Sequence, residues 1–218
     1  IFDGDLDGRF LSIERNNVVV KDMTIKEYGV SSSCTSTCGG GAIIVHSNRT
    51  GFGVKDVIFD GNITDGSSGD GGAIEFMTGS QSNIQNTLFK NNKAGSTASS
   101  QIGMNGGATK TNGSSLVTFK NCIFHDNHAR GYGGAHTDWN NSGGQTEFFN
   151  CTIEGNTAFF GGGAGIACWY GTTTIKNSII YNNYNDSSLS YDIYEAYTFS
   201  ENDQGALVAT NVIYRSSY

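Results

Sequence analysis

The sequence has no proline, few charged residues and no long run of apolar residues. Charged residues make up only 15% of the 218 positions, against about a quarter in ordinary globular chains. No segment approaches the roughly 20 consecutive apolar residues that cross a bilayer, so we expect no membrane-spanning segment. The net charge of −7 offers little to neutralise phosphates, so nucleic acid is not expected as a partner.

Glycine and asparagine are abundant instead, with 31 and 22 copies. Both are poor helix formers, which favours an all-β chain. The 13 Phe and 10 Tyr, within a hydrophobic fraction of 37%, are enough to build a core, which argues against disorder. The length suits a single domain over residues 1–218. Because the chain begins at Ile1 without a Met or a signal-like segment, we expect that domain to be part of a longer protein.

Two short motifs alternate along almost the whole chain. The first is Gly-Gly-Ala, at Gly40–Ala42, Gly71–Ala73, Gly106–Ala108, Gly133–Ala135 and Gly162–Ala164. The second is Asp or Asn followed three residues later by a large residue that is usually apolar. Its copies begin 27 to 35 residues apart, at Asp22, Asp56, Asn86, Asn121, Asn150, Asn177 and Asn211. The central copies continue to a further Asn, at Asn62, Asn92, Asn127, Asn156 and Asn183.

Each repeat predicts one coil of a parallel β-solenoid. Residues 54–59 show the period-2 pattern of a strand, and a unit of about 30 residues without a helical segment fits one coil. We expect six to seven coils, beginning near residues 17, 53, 83, 117, 147, 174 and 207 and stacked about 4.8 Å apart.

Alignment of the repeats predicts files of equivalent residues along the stack. One interior file contains Val20, Val54, Ile84, Phe119, Phe148, Ile175 and Ala209, and another contains Ile25, Phe59, Phe89, Phe124, Ile153, Ile180 and Tyr214. The Asp/Asn file between them is interpreted as structural, with side chains that hydrogen-bond along the stack at the bend of each coil.

The alternating GGA[I] and FxxN motifs resemble the repeats of chlamydial polymorphic outer-membrane proteins and related repeats of large protist surface proteins. The best copies are Gly71–Ile74 and Phe89–Ala94, and the resemblance extends from about residue 17 to 211. It implies a right-handed parallel β-helix of the pectin-lyase type that acts in adhesion or surface architecture. The GGA motif is missing after Asn183.

The N-terminal segment is a candidate calcium site. Asp3, Asp5, Asp7 and Glu14 have the spacing of an EF-hand loop, and carboxylates suit a hard cation. The context favours an ordinary turn, because no helix precedes it and residues 10–13 read as a strand. Calcium is the one metal ion that the sequence suggests, and we expect no other cofactor.

Histidines and carboxylates are concentrated in one coil and invite a catalytic or metal-binding interpretation. The residues concerned are His125, Asp126, His128, His136 and Asp138, with Glu154 in the next coil. His125 and Asp126 occupy positions that vary freely between coils, which favours a solvated face. A polysaccharide lyase or hydrolase needs carboxylates that converge on one groove. Because no Asp-Asp pair or convergent Arg is present, we expect no enzyme.

The five cysteines predict two disulfides. Cys34 and Cys38 share one loop, which their bond would close. Cys122 and Cys151 each follow a file Asn, so they stack on adjacent coils at a Cα distance that a disulfide accepts. Cys168 is then free, bonded to another chain or paired outside this segment.

Six N-x-Ser/Thr sequons, taken with the disulfides, favour a secreted or surface-exposed glycoprotein. Asn62 and Asn150 fall on the repeated Asn files, so we expect neighbouring coils to engage them. We predict N-linked glycans along one edge of the coil and in a later loop, at Asn48, Asn112, Asn140 and Asn185.

An outward apolar stripe is predicted on the second strand of each repeat. Residues two after the Asp/Asn file should point outward, and five of the seven are large aliphatics: Ile58, Leu88, Ile123, Ile179 and Ile213. A file rich in lysine should run beside it. β-Branched residues also suit exposed strands, but we interpret the stripe as an interface with another copy.

The sequence therefore predicts an extracellular, glycosylated structural β-helix protein, the subunit of a cell-surface fibre, flagellar hair or coat. Its expected partners are copies of itself or sister surface proteins. The alternatives are an adhesin that binds host or glycan surfaces and a polysaccharide lyase or hydrolase.

Overall fold

The structure is a computed structural model that describes residues 1–31, 33–34, 38–65, 69–95, 103–185, 192–195 and 206–214. These residues form strands, turns and bends without a helix, and every strand pairing is parallel. Sheet 2, defined below, has six strands, one for each of about six turns. The predicted all-β, right-handed parallel β-helix is confirmed.

Three parallel sheets form the walls of the solenoid. Sheet 1 contains β1 (Phe2–Asp3), β3 (Val19–Lys26), β6 (Thr50–Asp60), β9 (Gln81–Gln85), β10 (Leu88–Lys90), β13 (Leu116–Lys120), β14 (Ile123–His125), β17 (Gln145–Phe149), β18 (Thr152–Glu154), β21 (Thr172–Tyr181) and β24 (Ala206–Ile213). Sheet 2 contains β4 (Gly29–Val30), β7 (Ile63–Thr64), β11 (Lys93–Ala94), β15 (His128–Ala129), β19 (Thr157–Ala158) and β22 (Tyr184–Asn185). Sheet 3 contains β2 (Leu11–Ile13), β5 (Ile43–Val45), β8 (Ile74–Phe76), β12 (Thr109–Asn112), β16 (His136–Trp139), β20 (Ile166–Tyr170) and β23 (Ile193–Glu195).

The predicted register is confirmed along sheet 1. Val20, Val54 and Ile84 are Cα partners on successive strands, and the file continues through Phe119 to Ala209. Side chains of the second interior file stack ring on ring, with the centroids of Phe59 and Phe89 at 5.1 Å and those of Phe89 and Phe124 at 4.7 Å. Both files are buried over most of their length, so the core is a continuous column of like residues.

The Asp/Asn file forms an exposed outer ladder at the bend of sheet 1. All seven of its residues have a left-handed backbone, with φ between 48° and 57°, a conformation that Asn and Asp tolerate better than other non-glycine residues. Their side chains bond along the stack: Asn86 Nδ2 donates to Asp56 Oδ1 at 3.0 Å, and Asn121 Nδ2 donates to Asn86 Oδ1 at 3.2 Å. The structural interpretation of this file is confirmed.

The second Asn file forms a buried inner ladder between sheets 1 and 2. Its members are Asn62, Asn92, Asn127, Asn156 and Asn183, each with no exposed surface. The Oδ1 of Asn127 accepts hydrogen bonds from the backbone and side-chain N–H groups of Asn92, both at 3.0 Å. The Asn127 Nδ2 donates to Asn156 Oδ1 at 2.9 Å and to Phe89 O at 3.0 Å. The ladder ends on Asp192, whose Oδ1 accepts from Asn183.

The GGA motif marks the turn into sheet 3, and its fifth copy needs a correction. In the first four copies the Ala residues align, as the bonds from Ala73 N to Ala108 O and from Ala108 N to Ala135 O show. The next equivalent of Ala135 is Gly165, because His136 pairs with Ile166. The structural fifth copy is therefore Gly163–Gly165, one residue beyond the Gly-Gly-Ala letters. A Cβ on the middle glycine Gly107 would meet the backbone oxygen of Gly134, which explains the need for glycine there.

Removal of one rung of the inner ladder tests this account of stability. Asn127→Ala leaves the N–H groups of Asn92 and the oxygens of Asn156 and Phe89 short of a partner, so we expect a loss of about 3 kcal/mol in the free energy of unfolding. Asn121→Gly is the matched control, since it removes an exposed rung and keeps the left-handed backbone; we expect a change below about 1 kcal/mol. Urea denaturation of both variants measures the difference, and equal losses would contradict the proposed role of the inner ladder.

Candidate functional site

The aliphatic stripe lies on the outer face of sheet 1, as predicted. Its residues are Cα partners from coil to coil in the order Thr24, Ile58, Leu88, Ile123, Thr152, Ile179 and Ile213. Ile123, Ile179 and Ile213 are 46%, 47% and 63% exposed, and Ile58 and Leu88 are half-buried. The stripe therefore presents apolar surface to solvent along the length of the rod.

Polar files border the stripe on both sides. On one side, beyond the outer ladder, runs the predicted file Lys21, Lys55, Gln85, Lys120, Phe149, Lys176 and Thr210. On the other side runs a file of polar and charged side chains, with Lys90 Nζ 2.9 Å from Asp60 Oδ2 and His125 Nδ1 3.5 Å from Glu154 Oε1. Asp126 also lies here, exposed, with its Oδ2 2.9 Å from His125 Nε2.

The other residues of the histidine-rich coil do not join this surface. Asp138 lies inside the solenoid, where its two carboxylate oxygens accept hydrogen bonds from Thr111 Oγ1 at 2.9 Å and Thr173 Oγ1 at 2.7 Å. His136 is also interior, and burial lowers its pKa to about 3, so the ring is neutral. Of the carboxylates weighed for a lyase or hydrolase, Asp138 is thus separated by the wall of sheet 1 from Asp126 and Glu154, which are exposed on its outer face.

The N-terminal loop does not gather the four residues of the weak calcium candidate into one group. Asp3, Asp5, Asp7 and Glu14 are all exposed, and the described part of the chain has no group of three or more His, Cys, Asp or Glu placed to hold a metal ion. Asp3 belongs to β1, and its carboxylate instead pairs with Lys26 Nζ at 2.6 Å, which lowers the pKa of Asp3. The segment forms a turn at Asp5 and Leu6, in line with the interpretation favoured from the sequence.

Of the two predicted disulfides, the Cys34–Cys38 bond is confirmed, with a Cα separation of 5.6 Å. Cys122 and Cys151 stack on adjacent coils as expected, but no disulfide joins them, and both are buried, as is Cys168. The prediction rested on Cα spacing alone. A disulfide needs Cβ atoms about 3.8 Å apart, whereas in-register side chains on parallel strands project side by side at about 4.8 Å.

The predicted glycan sites differ in exposure. Asn48 is exposed and has a left-handed backbone at φ 59°. Asn112 is half-buried, and its Nδ2 donates to Glu75 Oε1 at 3.0 Å. Asn140 has no exposed surface and Asn185 is 7% exposed, so neither amide can carry a glycan in the folded chain.

The predicted acceptor residues therefore do not share a single exposed edge, for a register reason. Asn112 is the Cα partner of Trp139, so Asn140 stands one position further along its coil and turns inward. Asn185 aligns with the inward residue Ala158, and the rest of its sequon lies outside the described residues. Asn62 is engaged in the inner ladder as expected. Asn150 is exposed, although its Nδ2 donates to Asn121 Oδ1 at 3.3 Å.

A buried charged cluster on the outer face of sheet 3 was missed by sequence reasoning. Asp70, Glu75 and Lys110 are each 7% to 8% exposed, and Lys110 Nζ contacts Asp70 Oδ2. Burial, together with the negative charge of Asp70, raises the pKa of Glu75 to about 7. The Arg9 guanidinium lies close by, donating to Gly39 O at 2.8 Å and to Gly40 O at 2.9 Å.

A signal for this cluster exists in the sequence. Glu75 and Lys110 both stand two residues after the Ala of their GGA motifs and are Cα partners on β8 and β12. Opposite charges at one offset in adjacent repeats predict a pair across the coils. The burial is not visible in the sequence, because it depends on where the loops lie, as when Gly39 packs against Glu75 Oε2.

A scan against protein-family models and searches of curated proteins and of solved structures give no match to this chain. The coarse class is shown by the structure alone: a parallel β-solenoid built from tandem repeats, with one disulfide. Among the described residues there is no helix long and apolar enough to span a membrane.

The buried carboxyl of Asp138 predicts a pH dependence of stability. Burial raises its pKa from 3.8 to about 7. The folded chain therefore holds the proton of the Asp138 carboxyl more tightly than the unfolded chain does. The stabilisation of the fold by this protonated carboxyl is complete below about pH 4 and is lost as the pH rises toward 7. At pH 8 the free energy of unfolding of Asp138→Asn should therefore exceed that of the parent by up to about 4 kcal/mol, with a higher melting temperature, whereas at pH 4 the substitution should gain nothing. Thermal melts across this range test it, with exposed Asp126→Asn as control; a constant difference between parent and Asp138→Asn would contradict it.

The exposure of the sequons predicts their occupancy. In protein secreted by a eukaryotic host we expect a glycan at Asn48, which is exposed, and none at Asn62, Asn140 or Asn185, whose amides are buried. Intact-glycopeptide mass spectrometry measures all four, and Asn48→Gln should remove that glycan. A glycan at Asn140 together with an unmodified Asn48 would contradict the register described above for the turn at Asn140.

Proposed function

We propose that this protein is an extracellular, glycosylated structural β-helix that associates with copies of itself or with sister surface proteins. The assembly is a cell-surface fibre, flagellar hair or coat. The observation that carries the proposal is the aliphatic stripe, which stays in register from Ile58 to Ile213 on an exposed face.

The stripe has the features of an assembly surface. Parallel sheets usually have both faces covered, and a continuous exposed apolar patch on a soluble protein marks an interaction site. The file of Asp60, Lys90, His125 and Glu154 borders it as a polar rim borders the core of an interface. Charged side chains at fixed positions along this file also help to set the register between two rods.

Two observations support an extracellular location. The Cys34–Cys38 bond is of a type that persists in oxidising compartments. The exposed sequon at Asn48 offers an acceptor site for an N-linked glycan. The buried thiols do not indicate the compartment, because burial protects them from oxidation in any compartment.

Self-association distinguishes this function from an adhesin, which would display the same face to a target. Leu88→Asp with Ile123→Asp places two carboxylates on adjacent coils of the stripe, so we expect a folded monomer that has lost association. Gln81→Asp with Leu116→Asp is the matched control, because it adds the same charge on adjacent coils of sheet 1, away from the stripe.

Sedimentation velocity over a range of concentrations measures this difference, with circular dichroism as a check on folding. Association in the parent and the control, absent from the stripe variant, supports the proposal. A parent that stays monomeric at all concentrations, or a stripe variant that assembles as well as the parent, would contradict it; the first outcome favours the adhesin.

A further inference from the structure

Lys110 and Asp70 form a buried ion pair between two coils. Their side chains are 9% and 11% exposed, and 40 residues separate them in the chain. Asp70 Oδ1 accepts a hydrogen bond from the backbone N–H of Asn105 at 2.7 Å, which leaves Oδ2 in contact with Lys110 Nζ. An amine therefore sits against a carboxyl group whose orientation is fixed.

A third group completes the arrangement. Glu75 is the Cα partner of Lys110, so the two side chains leave adjacent strands on the same face. Its Oε1 accepts from Asn112 Nδ2 at 3.0 Å, and Gly39 covers its Oε2. With a pKa raised to about 7, this carboxyl both gives and takes a proton at neutral pH.

The surroundings exclude water from the pair. The Trp139 ring lies with its centroid 5.6 Å from Lys110 Nζ, and all three charged residues are more than nine-tenths buried. Lys90 and Asp60 provide a contrast within the same molecule. They also join adjacent coils, at 2.9 Å, but their side chains are 36% and 27% exposed.

We propose that Lys110 Nζ and Asp70 Cγ join in an intramolecular isopeptide bond, with Glu75 as the group that relays the proton. The bond is a covalent modification that links the coil carrying β8 to the coil carrying β12.

The reaction needs no cofactor or oxidant. One proton of the Lys110 ammonium passes to Asp70 Oδ2, which gives a free amine and a neutral carboxyl. Nζ then attacks Cγ, and the negative charge that develops on Oδ1 is held by the Asn105 N–H. Glu75 takes a second proton from Nζ and returns it to Oδ2, which leaves as water. The products are one amide and one water molecule, and Glu75 ends in its starting state.

Intact mass spectrometry of the full chain tests the proposal directly. The folded parent should weigh less than its sequence by one water molecule, in addition to the two hydrogens lost at Cys34–Cys38. After trypsin digestion, peptide 56–90 should be joined to peptide 94–120, which stays uncut at Lys110 because its amine is blocked. Asp60 and Lys90 both lie in peptide 56–90, and trypsin should still cut after Lys90 because its amine stays unmodified.

Variants assign the roles of the three groups. Lys110→Arg keeps the charge and should restore the full mass. Asp70→Asn should lose ammonia in place of water, since its amide nitrogen becomes the leaving group. Glu75→Gln should fold but form the bond at least about a hundredfold more slowly, whereas Glu154→Gln, an exposed carboxylate, should leave it unchanged.

The mass of the parent decides the matter even if a variant fails to fold. A folded parent with the full mass of its sequence, apart from the disulfide, would overturn the proposal and leave an ordinary buried ion pair. A bond that forms equally fast in Glu75→Gln would overturn the role of Glu75. The outcome is independent of whether the stripe mediates assembly.

Discussion

The hydrogen-bonded inner asparagine ladder is the constraint on which the rest of the structure depends. A parallel coil must bury polar backbone where the chain turns from sheet 1 into sheet 2, and a buried N–H or C=O without a partner is costly. Each Asn of the ladder meets that need by accepting from the coil before it and by donating to a backbone oxygen of that coil and to the side chain of the next Asn, as Asn127 does. The ladder works only if Asn stacks on Asn, so it selects one register.

That register determines what the outer faces display. Once Asn92 sits on Asn62, Leu88 must sit on Ile58 and Lys90 on Asp60, because a strand shifted by one residue would turn every side chain to the opposite face. The aliphatic stripe and the polar file beside it are thus consequences of the same stacking. The charged cluster on sheet 3 arises in the same way, since the register that aligns Ala73 with Ala108 also sets Glu75 beside Lys110.

The parts of the molecule that repeat were predictable from the sequence. Both interior files, the outer ladder and the outward direction of Ile123 and Ile179 follow from equal offsets within each motif. The stripe residues of the candidate site could therefore be predicted from the sequence, whereas the partner that covers the stripe is inferred.

The parts that depend on one particular loop were not predictable. Asn140 turns inward because its turn has its own length, and Gly165 replaces Ala in the fifth copy because one residue is inserted ahead of it. Cys122 and Cys151 satisfied the Cα spacing but not the Cβ geometry of a disulfide. The burial of Asp70, Glu75 and Lys110 comes from chain segments of several coils, which no single repeat reveals.

A distance between the two ends of the stripe tests the common register most directly. Spin labels at Ile58→Cys and Ile213→Cys are separated by five steps along the stack, through Leu88, Ile123, Thr152 and Ile179. At about 4.8 Å for each step, double electron–electron resonance should give one narrow distribution of label-to-label distances at about 25 Å. A broad distribution, or a mean displaced by more than about two steps, would contradict a single stacked register.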